Sequence, residues 1–444
     1  MRVDMKRLRF IFSSAIVALF ANGSFAADIW PQFRGTDGGV AEGKNLPAKW
    51  TISQNVAWSV ETPGRGWSSP IVVKGKIFLT TVDREGGFEA AKKGLYFGGE
   101  RPKPADVEHK WIVLCYDLAT GKELWKKEVA KAKPQTGVHI KNTYASETQV
   151  TDGEHVYSYF GCQGIYCHDL DGKLIWSKPF DPVPTMFGWG TASSPALHEN
   201  KLIIVNDNEK ASYILCLDKK DGKELWKVDR DEKSTWATPF VWKNEKRTEI
   251  VTAGAKKIRS YDLDGKLLWE LGGMSNLTIP TPFAKHGLLY VGSGYILGKN
   301  KPIFAIKPGA KGDITLKEGE TSNESIAWCQ KDAGPYNPSF LVYGDYLYVL
   351  YDRGMLACFE AKTGKMVYEK QRLEGMFTTS PWAYDGKVFC LNEDGDCYVI
   401  EAGKEFKLLN KNRLDEMCMA TPAIVGDSLI VRTMGRLVRI KDEK

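Results

Sequence analysis

Chemistry has few places to reside in this chain. The stretch HIKNTYASE, His139 to Glu147, places an imidazole, a carboxamide and a carboxylate close together. Such a set can bind a polar ligand, and His139, Asn142 and Glu147 are therefore its candidate binding residues. A second group is aromatic: Trp67, Trp189, Trp236, Tyr336 and Phe377 each precede a short run rich in small or hydroxyl residues. Placed at one mouth, they would give a polar, aromatic-lined site for a ligand or partner. The plainer reading is that these rings cap the packing between structural units and that the polar groups are satisfied by channel water. No catalytic residue is assigned. GSGYILG, Gly292 to Gly298, starts like a dinucleotide loop but has no helix to follow it. There is no HExxH, no CxxC and no GxSxG, and the six His are scattered, so no metal site is expected.

The elements that must position these residues announce themselves by repetition. CYDLATGKELW (Cys115 to Trp125) returns as CHDLDGKLIW (Cys167 to Trp176), CLDKKDGKELW (Cys216 to Trp226) and SYDLDGKLLW (Ser260 to Trp269), and more loosely as CFEAKTGKMVY (Cys358 to Tyr368). A spacing of about 40 to 50 residues is the mark of propellers and solenoids. Each phrase reads as two β-runs around a tight turn. The Asp caps backbone groups of the turn, and the Gly supplies a positive φ. The aromatic that closes each phrase is read as packing between units: Trp58, Trp125, Trp176, Trp226, Trp269 and Tyr368.

Before each hairpin stands a pattern of hydroxyl residues, often with Pro, followed by two short strands. It occurs at Ser68-Ser69-Pro70, Ser146-Glu147-Thr148, Ser193-Ser194-Pro195, Ala237-Thr238-Pro239, Pro280-Thr281-Pro282, Asn337-Pro338-Ser339, Thr379-Ser380-Pro381 and Ala420-Thr421-Pro422. The fold class follows: all-β, an eight-bladed β-propeller of four-stranded antiparallel blades. After Thr421-Pro422 only three strands fit, and NVAWSVE at Asn55 to Glu61 resembles the missing fourth. An N-terminal strand completing the last blade would close the ring and remove its free edge.

The expected organisation is a signal peptide over 1–26, an N-terminal segment over 27–54 and the propeller over 55–444, with an insertion loop over 83–110 in blade one. Arg2, Lys6, Arg7 and Arg9 before the apolar run Phe10 to Phe20, then Ser24-Phe25-Ala26, read as an export signal that is too short to span a membrane. No Cys for lipid attachment lies near the cleavage point. The chain is therefore read as exported, periplasmic and without a transmembrane segment. Of its net charge of +6 the leader holds half, and no Lys/Arg run marks a nucleic-acid partner. The nine Cys are an odd number. Cys115, Cys167, Cys216 and Cys358 share one repeat position and read as small buried residues. Cys390 and Cys397, and less so Cys162 and Cys167, are the pairs that could bridge.

The turn phrase D-x-x-T/D-G-K-x-x-W with its S/T-P strand resembles the repeat of the pyrroloquinoline-quinone-type propellers, over about residues 50 to 441. That family holds quinoprotein alcohol dehydrogenases, with a quinone and Ca²⁺ at the ring centre, and BamB-like outer-membrane protein assembly factors without a cofactor. The dehydrogenase branch implies a disulfide between adjacent Cys, which this sequence lacks. It also implies oxygen ligands for Ca²⁺, for which Glu147, Asn142 and Asp207 are the conceivable donors. The assembly-factor branch implies a monomeric, non-catalytic scaffold that binds other proteins, with no cofactor, and this is the preferred reading. The alternative is a quinone- and Ca²⁺-dependent dehydrogenase. A weaker one is a propeller binding a glycan or small ligand at the aromatic mouth.

Overall fold

The computed structural model describes residues 29–43 and 45–442, so the expected export signal over 1–26 lies outside the described residues. The strands form eight sheets of four antiparallel strands, in chain order in all but the last, and one of the eight carries a fifth strand. Blade one is Ile71–Val73, Lys76–Arg84, His109–Asp117 and Glu123–Ala132. The first strand of each blade lies innermost, and its neighbours are the first strands of adjoining blades. Burial falls from the inner to the outer strand. In blade one Ile71–Val73 is wholly buried, whereas Glu123–Ala132 is mostly exposed. The core therefore lies between blades rather than at a single centre.

The ring closes as the repeat count requires. Val56–Glu61 pairs antiparallel with Arg436–Ile440, joining Ala423–Val425 and Ser428–Arg432 in blade eight. Across the same seam the buried Arg432 guanidinium donates to the Ser68 hydroxyl at 2.7 Å and to the Thr80 carbonyl at 2.8 Å, so blade eight is tied to blade one by side chain as well.

The repeated aromatic has a specific seat. The indole N–H of Trp125 donates to the Leu170 carbonyl, that of Trp176 to Lys219 and that of Trp226 to Leu263, in each case in the turn of the next blade. Trp58 does the same to Leu118. The ring covers the turn glycine: a Cβ on Gly222 would stand 2.6 Å from the Trp176 ring, and one on Gly121 2.7 Å from Trp58. Hence the turn needs Gly twice over, for its positive φ and for the space. The Asp works as the sequence implies, with Asp117 Oδ1 accepting from Thr120 N at 2.8 Å and Asp262 Oδ1 from Lys266 N at 2.9 Å. The small residue that opens each phrase sits directly opposite the ring: Cys115 pairs with Trp125, Cys167 with Trp176, Cys216 with Trp226 and Ser260 with Trp269.

That register explains the thiols. All nine Cys are free. Leu391 pairs with Cys397, and Cys390 with Tyr398. The two thiols therefore point to opposite faces of the sheet and lie in different cores. Cys162 sits by Thr136 while Cys167 lies under Trp176, so this pair is separated too.

Blade five departs from the phrase. Its closing strand is Ile326–Gln330, and Trp328 donates to the Ala361 carbonyl of blade six, a docking aromatic that lies outside the repeated phrase. The turn before it is replaced by residues 307–325, which run back over blade four. There Gly312–Asp313 adds a parallel fifth strand beside Trp269 and Glu270. Trp269 is fully buried beneath this segment and donates to Glu249 of its own blade, so its polar contact is not the inter-blade one expected of it. Tyr368 packs on Phe406 of blade seven.

Candidate functional site

The innermost strands begin with the hydroxyl residues, and these meet around the channel. Ser69 N donates to Thr148 Oγ1 at 3.0 Å, Thr148 N to Ser194 Oγ at 2.9 Å and Ser194 N to Thr238 Oγ1 at 3.1 Å. On the other side Thr281 N donates to Ser339, Ser339 N to Ser380 and Ser380 N to Thr421, each at 3.0 Å. At six of the eight junctions one residue thus hands its backbone N–H to the hydroxyl of the next blade. This is why the position must be Ser or Thr. The Pro that often follows has no N–H to satisfy and holds the strand start extended. All eight hydroxyl residues line one cavity of about 260 Å³.

Above this girdle stands an aromatic collar. Trp67, Trp189, Trp236 and Tyr336 line the cavity, as do His139 and Asn142. Each indole N–H is spent on a carbonyl: Trp67 on Lys141 at 2.8 Å, Trp189 on Gly99 at 3.1 Å and Trp236 on Gly190 at 2.8 Å. The rings are held rigidly and present carbon to the cavity. Trp189 and Trp236 stand 6.4 Å apart at 36° and share a cluster with Tyr336 and Ile279.

The insertion of blade one roofs the mouth. Asp83 and Arg84 pair with Lys110 and His109, so the loop proper is 85–108 and the ends of the expected 83–110 span belong to lengthened strands. Gly94, Leu95 and Tyr96 of this strap line the cavity. Its far point is latched to blade seven: Gly94 N donates to Glu393 at 2.7 Å, Lys141 bridges Glu393 at 2.5 Å and the Gly94 carbonyl at 2.9 Å, and Lys93 pairs with Asp394. Its return passes Phe97, wedged against Phe187 and Trp189, and Gly99 on the Trp189 indole.

The other end of the channel is stoppered by residues that precede the first strand. Trp30 bridges Val72 of blade one, the Pro31 carbonyl accepts from Thr151 of blade two and Asp37 pairs with Lys285 of blade five at 2.6 Å. Arg34 donates to the Phe340 carbonyl of blade six at 2.8 Å, and Val40 bridges Ala383 of blade seven. Phe33 of this plug faces the cavity. The 27–54 segment, to which the sequence reading gave no role, thus closes the floor over its described part.

The named site residues divide. His139 accepts from Lys141 N through Nδ1 and meets the Phe97 carbonyl through Nε2. It is a neutral brace for the strap, and burial lowers its pKa. Asn142 donates to the carbonyls of Trp189 and Thr191, and its oxygen accepts from Thr143 N and Ser146. Its hydrogen-bonding capacity is almost used up inside the wall. Glu147 does not line the cavity. It is buried behind the girdle and accepts from the Thr191 hydroxyl, and burial pushes its carboxyl up to about 7. Phe377 is fully buried in the core between blades six and seven, not at the mouth. The hydroxyl girdle itself was in plain view as a repeated S/T position, but it reads as strand punctuation until the ring is closed.

The residues at hand do not fit a quinone and Ca²⁺. Both Asp207 oxygens are held by Arg230, at 2.8 and 3.1 Å, with Thr235 on one of them at 2.8 Å. Glu147 faces away from the cavity, and among the described residues no cluster of three His, Cys, Asp or Glu is placed to hold a metal ion. A quinone bearing several carboxylates needs cations, and the one charged side chain in the lining, Lys141, is already paired with Glu393.

This architecture has known relatives. A solved structure of BamB from Moraxella catarrhalis superimposes with a TM-score of 0.52 at 11% identity, covering 81% of this chain and all of that one. The quinohemoprotein alcohol dehydrogenase of Comamonas testosteroni superimposes at 0.60 and 12% identity, over 94% of this chain and 81% of its own. Both share the fold. By sequence, the outer membrane protein assembly factor BamB of Shewanella oneidensis is 21% identical over 280 residues, 59% of this chain and 65% of that protein, so just under two thirds of the relative is spanned. The family model described as outer membrane protein assembly factor BamB matches residues 109–276 and 315–443. These matches take in more than half of the sequence, and the chain belongs to that family.

Proposed function

We propose that this chain is an exported, periplasmic, non-catalytic scaffold that binds other proteins in extended form along the outer edges of its blades, in the service of outer-membrane protein assembly. One observation carries the reading. The chain adds a strand to its own blade four: Gly312–Asp313 pairs parallel with the outer strand at Trp269 and Glu270, and Ile314 N continues the ladder to the Glu270 carbonyl at 2.9 Å. A blade edge that accepts a strand in cis has the geometry to accept one in trans, because an outer strand offers one row of unpaired N–H and C=O groups.

The open edges also carry apolar side chains. Leu124, Leu174, Ile175, Leu225, Met366, Leu408 and Leu409 are exposed, all on outermost strands. They give an incoming strand with alternating apolar residues something to cover. Lys126, Lys127 and Lys131 on the blade-one edge disfavour indiscriminate pairing. Family membership supports a protein partner, and no helix among the described residues is long and apolar enough to cross a membrane. A monomeric ring and the absence of a cofactor belong to the same proposal.

The test is site-specific photo-crosslinking in cells. A photoreactive residue at Leu124, Leu174 or Leu225 is expected to capture unfolded outer-membrane β-barrel precursors. Exposed mouth-face positions such as Lys103 and Lys299 serve as controls. Capture from the mouth face with silent edges would overturn edge binding.

A further inference from the structure

We propose that the central cavity between plug and strap is a binding site for a single uncharged sugar ring, a hexopyranose or its N-acetyl form, independent of the blade edges and of any protein partner.

Four features of the cavity converge on this class. The first is enclosure. The plug with Phe33 below, the girdle around the sides and the strap with Leu95 and Tyr96 above bound about 260 Å³. That lies just under the roughly 300–1,000 Å³ of sites for drug-sized molecules, and suits one ring. A channel that merely passes water or keeps the blades apart needs neither plug nor strap.

The second is the girdle. Thr148, Ser194, Thr238, Ser339, Ser380 and Thr421 each accept a backbone N–H from the preceding blade, with Thr421 accepting from Ser380 and Ser339 from Thr281. A hydroxyl that accepts in this way keeps its own hydrogen to donate. The cavity wall is therefore a belt of O–H donors. A flat apolar ligand would strip them of water and leave them unpaired. A ligand ringed with oxygens would pair them.

The third is the collar. Trp67, Trp189 and Trp236 are immobilised through their own N–H groups and turn carbon toward the space, with Ile279 and Met419 beside them. Indole faces suit the C–H face of a sugar ring, which is apolar on its faces and polar around its rim. The cavity has that same division: apolar carbon in the collar, donors in the girdle.

The fourth is charge. Lys141 is the one charged lining residue, and its ammonium is neutralised by Glu393. His139 has both ring nitrogens engaged. A charged ligand would enter without a counter-charge and lose its hydration. The ligand should therefore be neutral.

The strap then acts as the closure over an occupied site. Its latch, Lys141 and Gly94 on Glu393, stands at the cavity wall, and releasing the strap there and at Lys93–Asp394 would free its far point from blade seven.

Calorimetry and saturation-transfer NMR on the full-length mature protein, with D-glucose, N-acetyl-D-glucosamine and D-glucose 6-phosphate as probes, test the assignment. At least one neutral sugar is expected to bind saturably, with the phosphate ester at least 10-fold weaker. Trp236→Ala should lose at least 10-fold. Thr238→Val, nearly isosteric and chosen because the Trp variant risks misfolding, should lose several-fold with circular dichroism unchanged; melting should fall modestly, because the variant gives up the bond that Thr238 accepts from Ser194 N. No saturable binding of either neutral sugar overturns the proposal. So does equal binding of the phosphate ester, or a folded Thr238→Val protein that binds like the wild type.

Discussion

Glu147 is the residue whose type most invites a functional reading and whose surroundings most clearly withdraw it. Its carboxyl is fully buried with the Thr191 hydroxyl as its partner, and burial lifts its pKa from 4.5 to about 7. Asp352 is similar: burial lifts it from 3.8 to about 6, against donation from Tyr336 N and Asn337. Between the unfolded and folded pKa values the folded chain holds more protons than the unfolded one. Stability must therefore fall as pH rises through that window. The effect is complete below about pH 4 and fully lost above about pH 7 for Glu147. We expect the urea midpoint to drop between pH 5 and pH 8. Glu147→Gln, neutral at every pH, should remove much of that drop and raise stability at pH 8 by as much as about 3 kcal/mol, at 1.36 kcal/mol for each pKa unit. An unchanged pH slope in Glu147→Gln would show that the carboxylate is solvated after all.

At the scale of the element, the repeated hairpin is a docking device before it is anything else. The turn glycines separate into those beneath an indole and those facing open space. Gly222 and Gly287 have nearly the same φ, +72° and +74°, yet a Cβ on Gly222 would meet the Trp176 ring at 2.6 Å while one on Gly287 meets nothing. Gly287→Ala should therefore lose only the conformational term of about 1 kcal/mol, and Gly222→Ala should lose about 1–3 kcal/mol more through displacement of the ring. Urea unfolding of the pair measures the difference directly, and equal losses would mean that the indole moves aside freely. Blade five shows the same device with its turn rebuilt. Trp328 still reaches the Ala361 carbonyl although residues 307–325 replace the usual turn before it.

Over the whole molecule, closure and plugging are separate functions of one N-terminal stretch. Val56–Glu61 completes blade eight, whereas the residues before it stopper the channel and cover blades seven and eight, with Trp50 stacked on Phe389 and its backbone N–H donating to Asn412 Oδ1. A chain starting at Gln54 should keep its β circular dichroism but lose at least about 3 kcal/mol, because Trp30 and Trp50 leave cavities of the kind that Trp→Ala opens. A chain starting at Pro63 lacks the closing strand, exposes the edge at Arg436–Ile440 and should aggregate. If both truncations melt alike, the plug and the closing strand act as one unit.

The fold was legible because its information is local and repeated. A hairpin phrase, a closing aromatic and a hydroxyl start are each set by nearest neighbours, so eight blades and the N-terminal closing strand can be counted from residues alone. Trp67, Trp189, Trp236 and Tyr336 could be placed at one mouth for a related reason, since each stands a few residues before the hydroxyl start of its unit. Phe377 likewise stands just before Thr379-Ser380 but lies in the core between blades, and Glu147 turns behind the wall. A one-dimensional period fixes where a residue sits along a blade but not which way its side chain leaves it. The strap and the plug carry no period. Their contacts run from Lys93 to Asp394 and from Arg34 to Phe340, between residues that come together only once the ring has closed. The repeat dictates the blades and the seam; the cavity between plug and strap is a product of tertiary structure, because long-range closure alone brings those ends to the axis.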